Sequence, residues 1–369
     1  MERHLAPRSR RPEPRAEPRS ASPGPKEWRD ARAARPAAYG DIRTRLIALA
    51  AAYGDGTLGL PSPFFAEPVM PAVKLTPLGE GPLGTQVVDL RYASDYEPFL
   101  PAARDLYLRA TENLTAHVRW WTSGRGRPTI VMVHGWGGGN QWVTQRTFAV
   151  PYWLRHGYDV ASFVLPFHGA RAASAMRSGA GFPSANPLRT NESFGQAIHD
   201  LRGLSRFLRD RGSSAVGALG MSLGGYTIAL WASVAGPAEP GGLDFAVAMI
   251  PAVAMGRLMW RLGAQTPARA RAIEDGVTED LMVEICSVHA PTTRPARLPR
   301  ERLFVIGGRG DRITPPEQAE QLAAHWGVDV RWFDGGHLAQ LGRGDTFRDV
   351  RRELSALGLP GREFRGPRR

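Results

Sequence analysis

A chain of 369 residues that is 43% hydrophobic and 22% charged is globular in composition and long enough to bury a large core. Its one cysteine, Cys286, excludes an intrachain disulfide and a cysteine-rich metal site. The formal charge of +12 suggests a nucleic-acid partner, but residues 1–38 hold ten Lys or Arg against five Asp or Glu, and the last ten hold four Arg against one Glu, so the middle is only modestly basic and no nucleic-acid partner is expected.

Residues 1–40 are rich in Pro and Arg and lack an apolar run of the kind that marks a secretory signal. They read as a disordered basic tail, which could touch an anionic membrane surface peripherally. The domain proper is expected over 41–369. Its longest apolar stretch, 245–256, is too short to cross a membrane and contains Pro251, so a cytoplasmic protein is expected. Residues 41–52 have the pattern of an amphipathic helix with Asp41 as its cap, and 54–84 is loop-like. Alternation predicts strands over 85–92 and 114–121, with a helix over 101–111 between them.

The run TIVMV, 129–133, reads as a strand covered on both faces. His134-Gly135-Trp136-Gly137-Gly138-Gly139 follows at once. Such a loop can offer backbone N–H groups to a developing oxyanion, or serve only as a connection; the Gly-Lys-Ser/Thr ending of a phosphate loop is missing. His134 itself reads as a structural hydrogen-bonding residue. The next strand, 158–165, leads into PFHGAR, where His168 and Arg171 are candidate substrate contacts, the latter as a clamp on an acidic group. A helix over 192–209 carries Asp200, which reads as a salt-bridge residue.

A short apolar strand, 215–219, then runs into Gly220-Met221-Ser222-Leu223-Gly224-Gly225 and a second apolar helix. Strand, G-x-S-x-G, helix is the context in which a serine is held at a strained positive-φ corner, its oxygen exposed at a helix N-terminus. A further strand, 245–250, precedes a helical insertion over 252–298 that reads as a small cap or lid. Met255 and Met259 are candidates to line an apolar acyl site there. Strands over 303–306 and 328–333 flank a helix over 317–326. Asp311 falls in the loop after the first of these strands and His337 in the loop after the second.

Ser222, Asp311 and His337 each follow a predicted strand, so a parallel sheet would bring all three to one edge. A serine hydroxyl is a weak nucleophile until an imidazole accepts its proton, and a buried carboxylate holds that imidazole in the required tautomer. With HGWGG at 134–138, GMSLGG at 220–225, GGRGDRITPP at 307–316 and GGH at 335–337, the chain resembles the α/β-hydrolase superfamily from about residue 85 to 358. The resemblance implies a mostly parallel twisted sheet with helices on both faces and a small helical lid. It implies Ser222 as nucleophile, His337 as base, Asp311 as acid, and an oxyanion hole from the N–H groups of Trp136 and Leu223. It also implies an ester substrate. The nine His residues show no tight ligand spacing on one helix, so no metal is expected, and no cofactor is expected. PFHGAR and the long N-terminal lead-in resemble the branch called α/β-hydrolase domain-containing protein 18, which would point to acyl lipids. Acyl transfer by the same residues, or a non-catalytic binding protein on this fold, remain alternatives at this stage.

Overall fold

The computed structural model describes residues 42–59 and 62–360, so the basic tail over 1–40 and the cap expected at Asp41 lie outside the described residues. In chain order come α1 (Ile42–Gly54), β1 (Lys74–Glu80), β2 (Gln86–Ala93), α2 (Arg104–Leu108), β3 (Thr115–Thr122), β4 (Thr129–Val133), α3 (Gln141–Thr147), α4 (Val150–Arg155) and β5 (Asp159–Phe163). There follow α5 (Pro187–Asp210), β6 (Val216–Met221), α6 (Leu223–Val234), β7 (Phe245–Met249), α7 (Met255–Leu262), α8 (Pro267–Glu274), α9 (Glu279–Ile285), β8 (Leu303–Gly308), α10 (Pro316–Trp326), β9 (Val330–Phe333) and α11 (Arg343–Ala356).

Among the described residues nine strands form one sheet in the order β1-β2-β3-β5-β4-β6-β7-β8-β9. β1, β2, β3 and β5 pair antiparallel, and every pairing from β5 through β4 to β9 is parallel. The parallel strands read as unbroken apolar runs because both faces are covered. On β4, Val131 and Val133 join one core with Leu201 and Leu204 of α5, Tyr226 of α6 and Leu322 of α10. Ile130 and Met132 point the other way, into a second core with Trp153 of α4 and Phe347 and Val350 of α11. This is the two-residue period of a strand between two helical layers.

Several stretches differ from the sequence expectation. Residues 54–84 contain β1, whose seven residues are all exposed and whose register slips between Pro77 and Gly79, so no apolar alternation marks it. Within 101–111 only α2 is α-helical, flanked by short 3-10 turns. Helices α3, α4 and α11 were not anticipated. Helix α5 begins earlier than expected because Asn186 accepts from the Arg189 N–H as its cap and Pro187 occupies the first turn.

The insertion between β7 and β8 holds α7, α8 and α9, with Thr266 and Thr278 capping the last two. It is tied to the body. Ala50 of α1 packs with Val277, Leu281 and Ile285, and His289 is hydrogen-bonded both to the Tyr226 hydroxyl (2.7 Å) and to Asn191 of α5 (3.0 Å). Among the described residues no helix is long and apolar enough to cross a membrane.

Candidate active site

Register explains why distant residues meet. Val133 lies opposite Gly220, Met221 opposite Met249, Met249 opposite Ile306, and Gly308 opposite Phe333. The loops after β4, β6, β8 and β9 therefore leave from one edge of the sheet, with β4 at the point where chain order reverses.

Ser222 terminates β6 with φ 57° and ψ −115°, a strained backbone for a residue with a side chain, and α6 begins at the next residue. Its neighbours have to be small. A Cβ on Gly224 would overlap the Val133 carbonyl, and one on Gly220 would overlap the Gly224 carbonyl. The Ser222 carbonyl accepts from the Tyr226 and Ala252 N–H groups, which fixes the corner against α6 and the segment after β7. The hydroxyl makes no hydrogen bond among the described residues.

Asp311 lies in the turn after β8 and is almost fully enclosed. Its Oδ1 accepts from the N–H groups of Ile313 and Thr314, both at 2.9 Å. Its Oδ2 lies 2.7 Å from His337 Nδ1 and 3.0 Å from the Thr314 hydroxyl. Burial works to raise the carboxyl pKa, but the His337 hydrogen bond and charge and the two backbone N–H groups outweigh it, so the net shift is downward. An ionised Asp311 fixes the proton on His337 Nδ1 and leaves Nε2 as the atom free to accept one. The His337 loop is fastened to the serine corner by Gln340, whose amide donates to the His337 carbonyl and to Met221 Sδ, each at 3.0 Å.

The loop after β4 runs against the same corner, since a Cβ on Gly135 would lie 3.3 Å from Ser222 Cβ. The backbone N–H groups of Trp136 and Leu223 have no acceptor among the described residues. The Trp136 indole donates to the Gly179 carbonyl at 2.9 Å, which braces the loop. His134 is neutral and structural: its Nδ1–H donates to Gly135 O (2.8 Å), its Nε2 accepts from the Leu165 N–H (3.1 Å), and burial pushes its pKa down to about 4.

Neither His168 nor Arg171 is hydrogen-bonded to Ser222, Asp311 or His337 among the described residues. Arg171 is fully buried, donating to Asp200 Oδ2 (2.8 Å) and to the carbonyls of Asn113 (2.9 Å) and Val164 (3.3 Å), so its guanidinium is closed to solvent although its Nε has no partner. His168 is equally buried, with Nδ1–H donating to Pro166 O at 2.8 Å and its pKa pushed by burial to about 3. The PFHGAR loop is thus an internal brace, a role that a loop Arg and His can take only when the fold encloses them. Met255 is buried and lines a cavity of about 190 Å³ with Val253, Cys286 and Gln321; Met259 is half-buried against the main core. Neither that cavity nor the larger one of about 450 Å³ beside Arg294 and Trp326 has Ser222, Asp311 or His337 in its wall. Sequence reasoning passed over Thr314, Gln340 and Gln318. Gln318 accepts from the N–H groups of Val253 and Ala254 and so anchors the start of the insertion between β7 and β8. A threonine three residues past a loop aspartate was the one signal available, since that spacing lets its N–H and hydroxyl both turn back on the carboxylate.

No protein-family model matches the chain. It is 28% identical over 326 residues to an uncharacterised protein of Mycobacterium tuberculosis (strain CDC 1551 / Oshkosh), covering 83% of this chain and 73% of that protein. It is 30% identical over 242 residues to another from strain ATCC 25618 / H37Rv, covering 63% of this chain and 55% of the relative's length. Among solved structures, an acetyl xylan esterase from Paenibacillus sp. R4 matches with a TM-score of 0.54 at 13% identity, covering 85% of this chain and 94% of that one. Acetyl xylan esterase 1 from Thermoanaerobacterium sp. JW/SL YS485 matches with a TM-score of 0.51 at 15% identity, covering 84% and 93%. The chain has the α/β-hydrolase fold.

Proposed function

We propose that the protein is a serine hydrolase that cleaves a carboxylic ester through an acyl-enzyme. The observation that carries this reading is the pairing of His337 Nδ1 with the buried Asp311 carboxylate at 2.7 Å, on the same sheet edge as a serine held at φ 57°. His337 Nε2 takes the proton from Ser222 Oγ as that oxygen bonds to the ester carbon. The carbonyl oxygen becomes an oxyanion facing the N–H groups of Trp136 and Leu223. The proton passes to the leaving alcohol as its C–O bond breaks, and water, deprotonated by the same imidazole, releases the acid and restores Ser222. The Ser222 hydroxyl is not yet bonded to His337, which fits the loose geometry common before substrate binds.

The two structural neighbours are acetyl xylan esterases, which supports ester chemistry. An acyl lipid as the substrate, and the cap over 252–298 as its cover, are the finer parts of the proposal. A fluorophosphonate probe should label the parent protein and leave the Ser222→Ala variant unlabelled. Equal labelling of the two removes Ser222 from the mechanism. A series of p-nitrophenyl esters of graded acyl length tests the lipid assignment, which a sharp preference for acetate would overturn.

A further inference from the structure

The loops that frame the candidate active site carry large apolar side chains into solvent. Trp136 is 65% exposed, Trp142 64% and Leu338 88%; Val143 and Leu341 are exposed close to Trp142 and Leu338 in sequence, and Ile313 is exposed two residues past Asp311. Contacts join the loops into one rim. The Arg146 guanidinium lies 3.5 Å from the centroid of the Trp142 ring. Arg343 donates to the Arg146 carbonyl at 3.3 Å and also to Gln340, whose amide holds the His337 carbonyl. The rim therefore runs from Trp142 across to Leu341 and His337.

Its unpaired charges are positive, the exposed acids Asp334 and Asp345 being paired with Arg309 and Arg348. Residues 134–149 contain no Asp or Glu. Asp311 is buried and occupied by His337, and Asp334 lies 3.7 Å from Arg309. Arg146, Arg312 and Arg343 have no acidic partner among the described residues. So many large apolar side chains exposed on the loops around one site are unusual on a protein that meets only water. Tryptophans, leucines and unpaired arginines together suit the boundary between anionic headgroups and acyl chains, where indoles settle, leucines enter and guanidinium groups meet phosphates. A second copy of the chain suits the rim less well, because a two-fold contact would set arginine against arginine.

We propose that this rim docks the mouth of the site onto an anionic phospholipid surface, so that an acyl ester enters from the lipid side. The substrate half rests on the hydrolase reading; the docking itself does not. The test is co-sedimentation of the full chain with vesicles of phosphatidylcholine alone and of phosphatidylcholine with phosphatidylglycerol. The parent protein and Ser222→Ala should both bind the anionic vesicles, bind the neutral ones weakly, and lose binding as salt rises. The double variant Trp142→Asp, Leu341→Asp should lose about tenfold or more in anionic-vesicle partitioning, with an unchanged melting temperature and unchanged hydrolysis of soluble p-nitrophenyl acetate. Binding that ignores vesicle charge, or that survives the double variant, overturns the proposal. So does a dimer in gel filtration that the same variant disperses without any vesicle binding. Vesicle binding by a protein that cleaves no ester upholds the docking and defeats the hydrolase reading instead.

Discussion

His337 and His168 occupy similar addresses, each in a glycine-containing loop that leaves a parallel strand, and each with Nδ1 within 2.7–2.8 Å of an oxygen. The oxygens differ. That of Asp311 belongs to an ionised carboxylate, which stabilises an imidazolium when one forms; that of Pro166 belongs to a neutral carbonyl, which does so weakly. Surroundings differ as well. His337 retains some access to solvent, whereas His168 has none, and burial drives its pKa to about 3. A ring so buried does not collect a proton near neutral pH. Residue type and loop placement therefore fail to separate the base of the proposed mechanism from a brace. The partner oxygen and the access of the second nitrogen do separate them.

The largest effect expected is on turnover. Under the proposed mechanism Ser222→Ala and His337→Ala should each lower kcat by about 10⁴-fold or more, and together by little more than either alone, because the two would act as one unit. Additive losses in steady-state assays would break the contrast at its catalytic end. At the other end, Arg171→Met leaves Asp200 buried without its cation and should cost about 3–5 kcal/mol of stability. Denaturant unfolding measures that loss. The folded fraction should retain the parent kcat, and a large fall in kcat at parental stability would return Arg171 to the site.

Acidification probes the buried rings together. His134, His168 and His289 have pKa values depressed by burial to about 4, about 3 and about 3. In the unfolded chain each takes up a proton near pH 6.5. Between there and the folded values the unfolded state binds more protons, so stability falls with falling pH by up to about 1.4 kcal/mol per unit for each ring. Above about pH 7 these rings contribute no slope. Urea midpoints measured from pH 7 to pH 5 give the total, and His289→Gln should flatten it. An unchanged slope in that variant would mean that the ring takes up its proton in the folded protein as it does in the unfolded chain.

Much of this was legible beforehand because it rests on backbone and on strand order. GMSLGG can be read directly, since Gly220 and Gly224 are dictated by carbonyls that a Cβ would strike. The parallel strands β4 to β8 announce themselves as apolar runs covered on both faces. β1 was invisible because an exposed edge strand carrying Pro77 and Gly79 has no buried face to pattern it. α11 hid under its charges, although Phe347, Val350 and Leu354 sit at helical spacing. The misassignment of Arg171 had a different origin. Only the chain fold shows that Asp200 and the Asn113 and Val164 carbonyls already surround its guanidinium.

Thr314 gives the smallest and most discriminating effect. Its hydroxyl oxygen lies 3.0 Å from Ile250 O, 3.0 Å from Asp311 Oδ2 and 3.1 Å from His337 Nδ1, so it touches both partners of the pair and the strand end beside Ser222. One hydroxyl has one proton. Given to Ile250 it fixes the loop; given to Asp311 it adds a donor to the carboxylate. Either way the hydroxyl acts through the orientation of His337 and not on substrate. Thr314→Val keeps the shape and removes the hydroxyl, which should lower kcat about tenfold, the worth of one such hydrogen bond, with KM unchanged. Thr314→Ser keeps the hydroxyl and should recover most of the loss. If serine and valine were equally impaired, the methyl group's packing would be the operative feature, and the His337–Asp311 pair would hold its geometry without help from Thr314.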